Sequence, residues 1–97
     1  MQAQILRELL AKPGIIRAPG AYDAWSARLV EKAGFPAVYM TGYGLSASLI
    51  GRPDIGLLSM TEMAAQGKNI AAAVNVRVIA DGDNGYGGLL NVVLKVR

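Results

Sequence analysis

Between Val76 and Gly88 the sequence passes in one step from an apolar run to two carboxylates and four glycines: Val78-Ile79-Ala80-Asp81-Gly82-Asp83-Asn84-Gly85-Tyr86-Gly87-Gly88. A short apolar run bounded by turn residues is the pattern of a strand buried on both faces, which in turn implies a parallel sheet covered by helices. In such sheets ligands bind at the carboxyl ends of the strands. Side chains alternate along an extended segment, so Asp81 and Asp83, at i and i+2, point the same way and can reach one point. A hard cation such as Mg²⁺ takes one or two carboxylates together with waters and substrate oxygens. The spacing by itself fits equally a plain turn whose Asp side chains cap backbone N–H groups.

The rest of the chain supplies the alternation that a parallel sheet needs. Ile5, Leu6, Leu9 and Leu10 stand at helical spacing within Gln2 to Ala11, and Pro13-Gly14 ends that helix. Ile15 to Ala18 reads as a first strand, closed by Pro19-Gly20. Asp23 is placed to N-cap a helix over Ala24 to Lys32, with Gly34 at its C′ position. Trp25, Leu29 and the Val30/Ala33 pair are the candidates for its buried side, more than one helix face can hold. Ala37 to Met40 is the second strand. Thr41 to Leu58 is polar and rich in glycine, and reads as a long functional loop. Ser59 with Glu62 makes a capping box for a helix from Met60 to about Ala73, interrupted by Gly67. Val76 to Ala80 is the third strand, and Leu89 to Arg97 has helical periodicity. A helix followed by three strand-to-helix units implies parallel strands with right-handed crossovers in a single domain.

Composition removes several classes of function. The 97 residues contain no Cys and no His. That excludes a disulfide framework and thiol chemistry, and with them the commonest general base and transition-metal ligand. The net charge is +3 with no basic run, so no nucleic-acid footprint is expected. No apolar stretch is long enough to cross a bilayer, and none resembles a secretory leader. The expectation is a cytoplasmic protein without a membrane or nucleic-acid partner.

Two further constellations lie after the second strand. Gly42-x-Gly44-x-x-Ala47 formally matches a dinucleotide fingerprint. That fingerprint must open directly into a helix, and Gly51, Arg52 and Pro53 follow closely here, leaving room for a helical turn at Leu45 to Leu49 only. The other reading is an anion cradle, with the Thr41 hydroxyl and the Gly42 and Tyr43 backbone N–H groups meeting a carboxylate. Asp54 sits later in the same passage, either folding back over that cradle or serving as a turn residue after Pro53. Trp25 and Met40 read as core, and Arg52 as a solvated charge.

Three motifs occur in order: Val38-Tyr39-Met40-Thr41-Gly42-Tyr43-Gly44, then Gly51-Arg52-Pro53-Asp54-Ile55-Gly56, then Val78 to Gly87. Together with Pro19-Gly20-Ala21-Tyr22-Asp23-Ala24 they resemble the isocitrate lyase and phosphoenolpyruvate mutase superfamily, in particular its methylisocitrate lyase and carboxyphosphonoenolpyruvate phosphonomutase branch. The resemblance covers nearly the whole chain. It implies the first three βα units of a (β/α)8 barrel, preceded by a short helix. Such a barrel needs about 250 residues, so the expected fold is an incomplete one.

The same resemblance implies function. Thr41, Gly42 and Tyr43 would bind a substrate carboxylate, with Thr where Ser is usual. Asp81 and Asp83 would hold Mg²⁺, with Mn²⁺ as its substitute, and Asp81 would also contact substrate. Asp54 would be the catalytic loop aspartate. The substrate would be a small 2-oxo acid or related carboxylate, cleaved at a carbon–carbon bond, with phosphonomutase or oxaloacetate decarboxylase chemistry as the alternative. Full-length members would form homo-oligomers. Gly82, Gly88 and Arg77 depart from the residues common in the family. The lyases' catalytic loop carries Lys, Cys, Gly and His, so a chain without Cys or His is expected to be an inactive fragment, or else a non-enzymatic binding remnant.

Overall fold

The structure is a computed structural model that describes residues 2–82. Helix α1 (Gln2–Ala11) is followed by strand β1 (Gly20–Ala21), helix α2 (Ala24–Lys32), strand β2 (Ala37–Met40), helices α3 (Gly42–Ile50) and α4 (Met60–Ala73), and strand β3 (Arg77–Ala80). The strands form one sheet in the order β1-β2-β3, both pairs parallel. This is the expected topology: an α/β arc of three strands, an incomplete barrel. The Leu89–Arg97 helix expected from periodicity lies outside the described residues.

The register fixes what each face carries. Val38 pairs with Val78 and Met40 with Ala80, while Tyr39 pairs with Ile79. Val38 and Met40 therefore share one face, which α2 and α4 cover with Ala27, Met63 and Ile70, joined by Val74 just past the end of α4. A methyl added at Gly67 would lie 3.3 Å from the Met40 sulfur. The glycine that weakens α4 as a helix is thus where α4 comes closest to the sheet. Tyr39, Ile79 and Asp81 belong to the opposite face.

Local chemistry sets the helix starts. The Asp23 carboxylate accepts from Ser26 N–H at 2.7 Å, and the Ser26 hydroxyl accepts from Asp23 N–H at 3.2 Å, a reciprocal box at the head of α2. Ser59 and Glu62 make the same exchange at the head of α4. Gly34 follows α2 with φ 94°, the left-handed turn that favours glycine. The Glu31 carboxylate accepts from the backbone N–H groups of Asn75 and Val76, tying the end of α2 to the entry of β3.

Three expectations are corrected. The first strand is Gly20–Ala21, not Ile15–Ala18, and Ile15 is 92% exposed. Pairing begins at Pro19, whose carbonyl accepts from Tyr39 N–H at 2.9 Å. β1 is an outer strand of this sheet, where proline is tolerated, and the β-propensity of Ile15-Ile16 yields to the fit of Ala21 in the core. In α2 the fully buried residue is Ala27, whereas Trp25 is 70% and Leu29 50% exposed. Trp25 is two residues from Ala27, about 200° around the helix, and a small side chain on the inner face lets α2 approach the sheet. Lastly, the passage read as loop contains α3. Thr41 caps it by accepting from Gly44 N–H at 3.1 Å, and Gly51, at φ 60°, closes it.

Candidate functional site

At the carboxyl ends of β2 and β3 the chain brings together residues from four places. Asp81 follows β3 directly, and its backbone N–H donates to Met40 carbonyl at 3.2 Å, so the ladder runs on to the site. Gly42 opens α3 and is buried. Asp54 comes from the α3–α4 connection and is exposed. Leu58 and Met63 close the apolar side of the cleft that these residues line, with Ser46 at its base.

Gly42 is the point of convergence. A methyl built there would lie 2.5 Å from Asp81 Oδ2 and 3.7 Å from Asp54 Oδ2. Only glycine leaves room for both carboxylates to approach this backbone. The N–H groups of Gly42 and Tyr43 stand in the first turn of α3, outside the helix's own hydrogen-bond ladder, and the helix dipole there favours negative charge. Thr41 uses one hydroxyl lone pair to cap α3, and its O–H can still donate. Tyr43 is 70% exposed.

Tyr39, two residues before the cradle, is part of this arrangement and was not legible as such in the sequence. Its phenol is hydrogen-bonded to Asp81, and it is held above its ordinary value by burial first, then by the Asp81 charge and that bond, then by the Asp54 charge. The signal was there in the period of two: Tyr39 shares a face with Ile79 and so with Asp81. Ser46, also missed, is 2% exposed, and its hydroxyl donates to the carbonyls of Arg52 at 2.8 Å and Pro53 at 2.9 Å.

The expected site residues Thr41, Gly42, Tyr43, Asp54 and Asp81 are thus brought to one end of the sheet. Asp83 lies outside the described residues. Among the described residues no three Asp, Glu, His or Cys side chains cluster as a metal site. The oxygen ligands present are two carboxylates and a hydroxyl, which suit a hard cation that keeps waters and ligand oxygens, and do not suit a soft one; the backbone N–H groups can meet only an anion. The dinucleotide fingerprint does open into a helix, contrary to expectation. Its N-terminus nevertheless faces two carboxylates where a pyrophosphate would have to sit, and with no cation between them like charges there repel.

Residues 6–97 match the family model described as phosphoenolpyruvate phosphomutase. The chain is 53% identical over 92 residues to 2,3-dimethylmalate lyase of Eubacterium barkeri, covering 95% of this chain and 32% of that protein. It is 48% identical over 90 residues to the chloroplastic carboxyvinyl-carboxyphosphonate phosphorylmutase of Arabidopsis thaliana, covering 92% of this chain and 26% of that one. Its fold superposes on the crystal structure of a phosphonopyruvate hydrolase complex with oxalate and Mg²⁺ with a TM-score of 0.87, at 36% identity, covering 95% of this chain and 32% of that one. The chain spans about a third of the length of the relatives it matches.

Proposed function

The chain belongs to the phosphoenolpyruvate phosphomutase family, and from that membership we propose that its strand ends bind a small 2-oxo acid or related carboxylate together with Mg²⁺, or Mn²⁺ in its place. The reaction class is carbon–carbon cleavage of the methylisocitrate lyase type. The observation that carries this reading is the convergence of the Asp81 and Asp54 carboxylates on Gly42, at the head of α3 and the carboxyl end of a parallel sheet. A phosphorylmutase among the relatives keeps phosphonomutase chemistry as the second reading.

Asp81 would hold the cation, with Asp83 beside it. When bound, the cation supplies Lewis-acid stabilisation of the negative charge that grows on a 2-oxo acid's oxygen as its bond breaks. The chain's own residues bind and orient. The N–H groups of Gly42 and Tyr43 donate to a substrate carboxylate, and the Thr41 O–H adds a third donor. Tyr39 keeps its proton at neutral pH and so fixes one Asp81 oxygen as its acceptor. Asp54 reaches over the bound acid from the loop. Leu58 and Met63 shield the inner side of the cleft from water. With no Cys or His in the 97 residues, lyase chemistry through a loop that carries those residues is not open to this chain alone, and binding is the property to test.

Calorimetric titration of oxalate into the 97-residue chain tests the reading. Oxalate should bind only when Mg²⁺ or Mn²⁺ is present, and binding should be lost in Asp81→Asn/Asp83→Asn. Binding that ignores the metal, or that survives the double substitution, would refute it.

A further inference from the structure

We propose that Ser46 is a positioning residue that seats Asp54 at the site. The role given to Asp54 rests on the reading above; the seating itself rests on geometry. Ser46 lies in the second turn of α3, is 2% exposed, and is the buried polar residue of the described core. Its single hydroxyl proton is shared between the carbonyls of Arg52 and Pro53, the two residues immediately before Asp54. Its own carbonyl accepts from Arg52 N–H at 3.3 Å. Pro53 carbonyl also accepts from Ile55 N–H at 3.0 Å, so the turn that carries Asp54 closes on the atom that Ser46 holds.

The surrounding chain gives this contact its weight. Residues 51–57 are all exposed, and Ile55 is 71% exposed. Gly51 at φ 60° and Gly56 at φ 80° flank the turn, and glycine is the residue least able to hold a backbone still. A loop with little apolar burial opens locally at low cost. The buried hydroxyl is what ties it back to α3, the helix whose first residue faces the Asp54 carboxylate. Removing that hydroxyl leaves two carbonyls without their donor, and they then turn to water. α3 remains capped by Thr41 and packed through Leu45, so Gly42 and Asp81 keep their places while Asp54 leaves.

Heteronuclear NMR of the 97-residue chain tests this on two readouts. Without metal, Ser46→Ala should speed amide exchange at Ile55 about tenfold, the loss of one net hydrogen bond; exchange in α4 should not change. With Mn²⁺, paramagnetic relaxation in the wild type should be strong at the amides of Gly42 and Asp54, and Ser46→Ala should keep the rate at Gly42 and lower it at Asp54. Ser46→Thr retains the hydroxyl and should restore both. Its thermal transition shows whether the added methyl is accommodated; should it not fold, the alanine variant decides. Wild-type exchange at Ile55 in Ser46→Ala would overturn the seating, as would broadening at Asp54 undiminished relative to Gly42. Absence of Mn²⁺ broadening anywhere in the wild type would overturn the metal reading instead, and the exchange readout would still decide Ser46.

Discussion

At the scale of single residues, the site depends on an atom that is missing. The space a side chain would need at Gly42 is occupied by Asp81 Oδ2, 2.5 Å away. Gly42→Ala must therefore displace that carboxylate while leaving the helix able to form. We expect Mn²⁺ affinity to fall about 10- to 100-fold, as when a ligand's supporting contacts are lost, with far-ultraviolet circular dichroism unchanged. Gly44 is constrained differently, since a methyl there would lie 2.5 Å from Thr41 Cγ2 and 3.2 Å from Tyr22 Cβ. Gly44→Ala should disturb the α3 cap and cost about 1–3 kcal/mol in denaturant unfolding, the usual penalty of overpacking. Tyr39 offers a test by pH. Its phenol should ionise above the ordinary 10.0, assigned by difference against Tyr39→Phe. Asp81→Asn should lower that value without restoring it fully, because burial is the largest cause. The folded state prefers the protonated phenol, so this stability is complete below pH 10 and fades as pH rises through the raised value.

At the scale of elements, the parts legible in the sequence are those decided by neighbours in the chain. Asp23, Ser59 and Glu62 act on backbone N–H groups three residues away, and both helices start where those residues place them. Asp23→Ala should cost about 1 kcal/mol in thermal or denaturant unfolding. Glu62 belongs to the same logic. Its carboxyl is held below its ordinary value by the Ser59 backbone N–H and then by the Ser59 hydroxyl. The cap is therefore intact above pH 4.5, is lost as pH falls through the lowered value, and should show as acid fraying of α4 that Glu62→Gln removes. What the sequence hid was decided by contacts between elements. α3 looked like loop because Gly42 and Gly44 lower its intrinsic propensity, but packing of Leu45 and Ser46 and caps at both ends carry it. β1 was misplaced because Ile15-Ile16 looks more like strand than Gly20-Ala21, which is chosen by fit against β2 and α2. Ser46 was silent because its partners arrive from a returning loop, and Tyr39 was marked only by the period of two that sets it on the face of Asp81. Asp81 stands out in the sequence by its place at a strand end, and Thr41, Gly42 and Asp54 by the chemistry of the passage after β2; the family motifs add the role proposed for each.

At the scale of the molecule, one face of the sheet is well covered and much apolar surface is not. Ile15, Ile55, Trp25 and Tyr43 are each at least 70% exposed, and among the described residues β1 and β3 are the outer strands of the sheet. Open edges and uncovered apolar side chains favour association. At about 25 cal/mol per Å², a few hundred Å² of such surface forgoes several kcal/mol, comparable with the whole stability of a small domain. Light scattering on the 97-residue chain should show species larger than the monomer, with a broad thermal transition; a monodisperse monomer with a sharp transition would show that the chain closes its own core. The account turns on whether the strand ends form a cation site centred on Asp81. Titration of Mn²⁺ followed by electron paramagnetic resonance, on the wild type and on Asp81→Asn, measures this most directly. The account predicts weak binding to the wild-type chain and at least tenfold weaker binding to Asp81→Asn, the scale on which a site loses affinity when its ligand arrangement is broken. Equal binding by the two proteins would contradict it.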